Sequence, residues 1–127
     1  MNGNVIVIEP SGVFRQVPLE RDERGSCLTC LQKHVCGLIE RIDPRFADMN
    51  GLDLWINEEG KLRGMEYNPI ATALSSAYGH DVLAGPCLIA RTDENGDTLP
   101  LTPYDVERLT FRIGSLGGRL GAEGSAA

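Results

Sequence analysis

Long apolar runs are missing from this chain of 127 residues. No run approaches the roughly 20 apolar residues that a membrane-spanning helix needs. The short apolar run at residues 5–8 has no basic residue before it, whereas a secretory signal begins with a basic region. We therefore expect a cytoplasmic location, in the host cell. In that reducing compartment the cysteines should be free thiols; they are Cys27, Cys30, Cys36 and Cys87.

Catalytic motifs are also missing. The sequence has no Gly-x-Ser-x-Gly nucleophile turn, no phosphate-binding glycine-rich loop and no His-Glu-x-x-His zinc motif. The histidines are His34 and His80, and neither stands beside a nucleophile in the sequence. We therefore predict that the protein is not an enzyme and that it uses no cofactor.

Basic residues are few relative to acidic ones. The chain carries 12 Lys and Arg against 18 Asp and Glu, a net charge of −6. Nucleic-acid-binding surfaces need clustered Lys and Arg, and anionic membranes attract polybasic segments. We therefore expect no direct nucleic-acid binding and no membrane association. The acids are scattered among arginines, so the dense acidic array of a DNA mimic is missing too.

The composition that remains is typical of a globular protein, with 42% hydrophobic and 24% charged residues. A chain of this length buries about two-thirds of its unfolded surface and supports one core without metals or disulfides. We predict one domain over residues 1–113. The remainder, residues 114–127, contains five glycines and is predicted to be a flexible tail.

Local patterns predict hairpins that alternate with helices. The strands are predicted at residues 4–9 and 13–19, 52–57 and 62–67, and 82–91 and 98–101; the helices are predicted at 26–42, 70–78 and 103–113. The two strands of a hairpin pair antiparallel. The order therefore predicts an α+β fold: a largely antiparallel sheet from three hairpins, with the helices packed on one face.

Three stretches occur in an order that is typical of one family. They are residues 5–10 (Val-Ile-Val-Ile-Glu-Pro), residues 31–40 in the first predicted helix, and residues 68–72 (Asn-Pro-Ile-Ala-Thr) followed by residues 81–85 (Asp-Val-Leu-Ala-Gly). Together they resemble the family known as domain of unknown function 3846, which is common on phage and plasmid genomes. The resemblance covers residues 4–101, and the chain departs from it at Cys36, where the family frequently has a glycine. It implies a phage or mobile-element setting and no particular chemistry.

Gly37 is the first candidate site residue. It falls inside the predicted helix at residues 26–42 but away from the apolar stripe, so packing on a sheet does not explain it. A glycine in a helix interior costs about 1 kcal/mol relative to alanine. Close approach by another backbone or by a ligand would justify that cost. A tolerated substitution or a local bend explains the glycine equally well.

Three further candidates lie on predicted strands and helix starts. Trp55 occupies the polar face of its strand, where it would stack on a ligand, anchor a partner or be covered by a helix. Asn68 and Thr72 begin the second predicted helix, and free N–H groups at a helix start suit an anion. Helix capping by Asn68 explains the same pattern and is favoured.

A zinc site is an alternative for the first helix. Cys27, Cys30 and His34 would lie on one flank of it, and Cys87 or His80 would have to supply a fourth ligand. Structural zinc sites usually repeat the Cys-x-x-Cys pair, and there is no second pair here. We therefore favour packed free thiols and predict no metal.

These observations lead to two functional expectations. The first is a non-enzymatic accessory protein of a phage or mobile element that binds a host protein stoichiometrically, for host takeover or anti-defence. The alternative is a homo-oligomeric small-molecule binder that sequesters a nucleotide-like ligand between subunits. Its parts would be Gly37, Trp55, Asn68 and Thr72.

Overall fold

The computed structural model describes residues 3–122. Within them the chain forms, in order, β1 (Asn4–Ile8), β2 (Val13–Pro18), α1 (Leu28–Val35), β3 (Ile39–Ile42), a 3-10 turn (Ala47–Met49), β4 (Leu52–Asn57), α2 (Pro69–Leu74), β5 (Cys87–Thr92), β6 (Thr98–Leu99), α3 (Pro103–Ser115) and β7 (Arg119–Leu120). The predicted α+β class is confirmed. In this part of the chain, no helix has the length and apolar character needed to cross a membrane.

One sheet contains every strand of residues 3–122. Its order is β3-β4-β5-β1-β2-β7, and the short β6 pairs with β5 beside this path. All neighbouring strands run antiparallel except β2 and β7, which run parallel. β1 lies in the interior of the sheet because its Val-Ile-Val-Ile run is apolar on both faces and β-branched throughout. The largely antiparallel sheet is therefore confirmed.

Two of the three predicted hairpins form. β1 pairs with β2, and β5 pairs with β6 across the turn at Asn95-Gly96. The predicted hairpin between residues 52–57 and 62–67 is wrong. Residues 58–64 form consecutive turns, and β4 pairs with β3 on one side and β5 on the other. β3, one of the two neighbours of β4, thus comes from a segment that the sequence predicted to be helical.

The first helix is shorter than predicted. α1 ends at Val35 because Cys36 adopts a left-handed conformation, with φ of 67°, and the chain then turns at Gly37. Residues 39–42, expected to be helical, form the edge strand β3. α2 also ends early, at Leu74, because Ser75 adopts an extended backbone conformation, and the Leu74 carbonyl accepts a hydrogen bond from the backbone N–H of Arg45 at 2.7 Å.

Helices cover both faces of the sheet, so the expectation that they share one face is wrong. Successive residues of β1 point to opposite faces. Val5 and Val7 pack in one cluster with α1, which contributes Leu31. Ile6 and Ile8 pack in a second cluster with α2 and α3. An apolar central strand needs cover on both faces, and the fold therefore has three layers.

The described part of the predicted tail, residues 114–122, contains regular secondary structure. α3 continues to Ser115, and the chain then returns to the sheet as β7. The N–H of Arg119 donates to the Gly12 carbonyl at 2.9 Å, and the N–H of Gly121 donates to the Phe14 carbonyl at 2.7 Å. β7 therefore extends the sheet beside β2. The rest of the predicted tail, residues 123–127, lies outside the described residues.

Candidate functional site

Asn68 is fully buried and holds three segments together. Its Oδ1 accepts a hydrogen bond from the N–H of Ala71 at 3.1 Å, which caps α2. Its Nδ2 donates to the carbonyls of Ile8 and Gly85 at 3.0 and 2.9 Å. Both amide protons and the amide oxygen are thus used inside the fold. The capping interpretation accounts for Asn68, and the side chain has no surface for a ligand.

Thr72 is buried one helical turn further along α2. Its hydroxyl donates to the Asn68 carbonyl at 2.8 Å and accepts from the N–H of Leu83 at 2.9 Å. These bonds attach α2 to the segment that precedes β5. Thr72 and Asn68 therefore lie together, as the sequence predicted, but their contacts stabilise the fold and leave no group directed at solvent.

Gly37 lies in the turn after α1 and not in a helix. A Cβ atom there would lie 2.7 Å from Asn57 Nδ2 and 3.1 Å from Arg63 Nη1. The amide of Asn57 is buried and donates to the carbonyls of Val35 and Cys36 at 3.2 and 3.1 Å. The atoms that approach Gly37 thus belong to side chains of the protein itself, and the glycine lies where the chain bends after α1.

The cysteines are divided between the two faces of the sheet. Cys27 and Cys30 are buried in the α1 cluster, Cys87 is buried in the opposite cluster, and Cys36 is exposed. The sheet therefore separates Cys87 from the Cys27 and Cys30 pair. Within residues 3–122, no group of three His, Cys, Asp or Glu side chains has the arrangement of a metal site. Burial raises the pKa of Cys27, and it raises the pKa of Cys87 to about 12.

An open cleft of about 600 Å³ lies between the β1–β2 turn and the end of α1. Its lining includes His34 and Cys36, together with the ion pair of Arg15 and Glu9 at 3.0 Å. Burial, with help from the neighbouring cation of Lys33, lowers the pKa of His34. Among the described residues, no hydrogen bond joins the His34 ring to the Cys36 thiol, so this cleft holds no formed nucleophile–base pair.

Trp55 lines a separate cavity of about 410 Å³ on the α1 side of the sheet. Asp53 lies at its base, about 9% exposed, and accepts hydrogen bonds from Arg41 Nη1 at 3.2 Å and from the Thr92 hydroxyl. Arg41 also donates to Asp43 at 2.6 Å. The Trp55 Nε1 is buried and has no hydrogen-bond partner among the described residues.

A surface rich in arginine and aromatic rings lies across α3 on the other side of the molecule. We call it the arginine–aromatic surface, and its members are Arg45, Phe46, Asp48, Tyr78, Tyr104, Arg108, Phe111 and Arg112. The guanidinium of Arg45 lies 4.1 Å from the ring centre of Phe46 and 4.2 Å from that of Tyr78. The guanidinium of Arg112 lies 3.9 Å from the ring centre of Phe46.

Asp48 fixes two of these arginines. Its Oδ2 accepts from Arg108 at 2.6 Å and from Arg112 at 2.5 Å, and these hydrogen bonds, first that of Arg112, lower the pKa of Asp48. Arg108 also donates to the Tyr104 hydroxyl at 2.7 Å. At the same time Phe111 is 80% exposed and Tyr104 is 63% exposed. Ordered cations therefore stand beside large uncovered rings.

The family model described as Domain of unknown function (DUF3846) matches residues 1–113. The chain belongs to this family. The match runs from before β1 to within two residues of the end of α3, so in this DUF3846 protein the family covers nearly all of the described fold. A search of curated proteins and a search of solved structures each found no match.

Sequence reasoning missed the arginine–aromatic surface of this DUF3846 protein. One part of this surface could have been predicted from the sequence. Tyr104, Arg108 and Arg112 are spaced four residues apart, which places them on one face of a helix. The other part has no such pattern in the sequence. Arg45 and Phe46 lie in a connecting segment, and only the fold brings them to α3.

Proposed function

We propose that this DUF3846 protein is a non-enzymatic accessory protein of a phage or mobile element that acts in the host cytoplasm by binding a host protein stoichiometrically. Host takeover and anti-defence are the settings that its family resemblance favours. The arginine–aromatic surface is the observation that carries the proposal. It combines exposed aromatic rings with arginines, the residue types that are enriched at protein interfaces and at their energetic hot spots.

The arginines of this surface are suited to binding because they are already ordered. The ring of Phe46 supports two of them, and Asp48 fixes the positions of Arg108 and Arg112. A guanidinium held in place loses little conformational entropy when a partner binds. The surface is therefore prepared in the free protein, and binding need not rearrange it.

The charges indicate the chemistry of the partner. The surface and its margin carry Arg45, Arg108 and Arg112 against Asp48 and Glu107, an excess of one positive charge on a chain of net charge −6. Phe111 projects beside them, 80% exposed. A protein that offers carboxylates next to an apolar pocket would pair with the arginines and cover the ring.

Small-molecule binding is a second candidate, and one observation favours it: Trp55 lines a cavity and its indole N–H has no partner in the described chain. The other parts of the expected oligomeric, nucleotide-sequestering site do not join it. Asn68 and Thr72 use their polar atoms inside the fold, and Gly37 makes room for Asn57.

The test of protein binding compares affinity-tagged variants expressed in the host. Phe111→Ser removes the exposed ring, and Leu62→Ser is the matched control because Leu62 is 84% exposed and lies outside the arginine–aromatic surface. We expect the wild type and Leu62→Ser to co-purify with the same protein at a constant ratio. Phe111→Ser should weaken that complex by about 30-fold, corresponding to about 2 kcal/mol for a hot-spot side chain. The complex is then rebuilt from the purified partner to measure its stoichiometry.

Two outcomes would contradict the proposal. If the purified protein alone turned over a nucleotide or another metabolite, the non-enzymatic function would be wrong. If Phe111→Ser and Arg108→Glu both kept the partner as tightly as Leu62→Ser does, the arginine–aromatic surface would not be the binding surface.

A further inference from the structure

We infer that the cavity beside Trp55 binds a small uncharged ring compound with neighbouring hydroxyl groups, the chemistry shared by nucleosides and sugars. This inference rests on the second candidate function and is independent of the arginine–aromatic surface. The two regions lie on opposite sides of the sheet, since Trp55 packs against the α1 cluster and Phe46 packs against the cluster of α2 and α3.

The β-sheet itself builds the cavity. Asp53 and Trp55 are two residues apart on β4 and therefore share a face. Arg41 is the register partner of Trp55 on β3, and Thr92 ends the neighbouring strand β5 on the same face as Ala90, the register partner of Asp53. The resulting volume of about 410 Å³ lies within the range of small-molecule sites, about 300–1,000 Å³.

Trp55 provides a ring and an unused donor. Its ring is half-buried, while its Nε1 is the buried side-chain polar atom of the described residues that lacks a hydrogen-bond partner. An unpaired buried donor costs about 1–3 kcal/mol, and native proteins rarely leave one without a reason. Because an indole N–H lies in the plane of its ring, an acceptor atom of a ligand seated against the edge of the ring, and not over its face, would satisfy this N–H and recover that cost.

The carboxylates determine which ligands fit. Each Asp53 oxygen accepts one hydrogen bond in the free protein, from Arg41 or Thr92, and a carboxylate has about four acceptor positions. Asp43 adds a second carboxylate whose side chain is 66% exposed. Ligand hydroxyls can donate to both. With two carboxylates and one guanidinium, the site has a negative charge, which repels phosphate. The site therefore suits a nucleoside better than the nucleotide expected from the sequence.

The test uses Trp55 as its own reporter, because it is the only tryptophan in the chain. Adenosine, uridine, glucose and maltose are titrated into the purified full chain, and tryptophan emission and Tm are recorded. We expect either the nucleosides or the sugars to change the emission with saturation and to raise Tm, which also distinguishes the two sources of this chemistry. Adenosine 5′-monophosphate should bind at least about tenfold more weakly than adenosine if nucleosides bind.

Two variants test the residues. Asp43→Asn changes an exposed carboxylate, so folding is preserved, and it should weaken binding about tenfold, which corresponds to about 1.4 kcal/mol. Trp55→Phe keeps a ring and removes the N–H; its binding, followed by Tm, should weaken by a similar factor. Glu107→Gln is the control, because it changes an exposed carboxylate on the other side of the sheet.

The inference would be overturned if no nucleoside and no sugar changed emission or Tm at millimolar concentration. It would also be overturned if Asp43→Asn and Trp55→Phe bound as tightly as Glu107→Gln. Failure of the small-ligand inference can be distinguished from failure of the protein-binding proposal. Phe111→Ser should keep the full response to the small ligand, and Asp43→Asn should keep the protein partner.

Discussion

At the scale of single residues, Asn68 has the most demanding role in the fold. One buried amide caps α2 and also satisfies the carbonyl that ends β1 and the carbonyl of Gly85. A sequence pattern identified the first of these functions, because a cap lies three residues from its donor. The other two partners lie 60 and 17 residues away, and no local pattern contains them.

Asn68→Ala should therefore reduce the stability of the protein more than the loss of an ordinary helix cap does. The variant loses the cap and removes one donor from each of two buried carbonyls, so we expect the free energy of unfolding to fall by about 2–4 kcal/mol. Urea denaturation monitored by circular dichroism measures the change. Thr102→Ala is the reference, because Thr102 caps α3 from an exposed position, and it should cost about 1 kcal/mol. Equal losses in the two variants would show that the carbonyl bonds of Asn68 contribute nothing.

At the scale of elements, the segment from α1 to β3 changes structure where the sequence predicted one continuous helix. Ile39 and Ile42 fit the spacing of a helix stripe, but β-branched residues also fit a strand. The strand forms because β4 offers an edge, with Ile39 opposite Asn57 and Ile42 opposite Leu54. That edge exists only in the folded protein, so the sequence of residues 39–42 alone could not predict that they form a strand.

Gly37→Ala distinguishes the two descriptions by the sign of its effect. In a continuous helix, alanine would stabilise the protein by about 1 kcal/mol. In the observed turn, the new Cβ would lie 2.7 Å from Asn57 Nδ2 and would displace a buried amide, so we expect a loss of about 1–3 kcal/mol. Chemical denaturation gives the sign directly.

The chain offers a matched control for this change. Gly114 lies in α3, and a Cβ there would meet no atom within 4 Å. Gly114→Ala should therefore raise the free energy of unfolding by up to about 1 kcal/mol. If Gly37→Ala stabilised the protein as Gly114→Ala is expected to do, the description of a turn after Val35 would be wrong.

At the scale of the whole molecule, the two-sided covering of the sheet determines which thiols react. Cys27 and Cys30 lie under α1, Cys87 lies under the opposite layer, and Cys36 is exposed at the end of α1. Burial also keeps Cys27 and Cys87 protonated, because it raises the pKa of each, and the thiolate is the reactive form.

We expect one cysteine of the native protein to react rapidly with an aromatic disulfide reagent at pH 8, and all four to react in denaturant. Absorbance of the released thiolate counts them. Cys36→Ser should abolish the rapid phase and leave the denatured count at three, since it removes the one exposed thiol of the four. Rapid reaction of a second thiol in native Cys36→Ser would mean that α1 or the opposite helices do not cover the sheet as described.

Sequence alone determined the features whose causes are contained within a few neighbouring residues. The apolar β1, the capped starts of α2 and α3 and the turn at Asn95-Gly96 all follow from such local causes. Only the tertiary structure decided the partner of β4, the helix content of residues 36–42 and the face on which each helix packs. It also decided the arginine–aromatic surface and the cavity at Trp55. Each of these depends on pairing or packing between distant segments, where burial and register outweigh local preference.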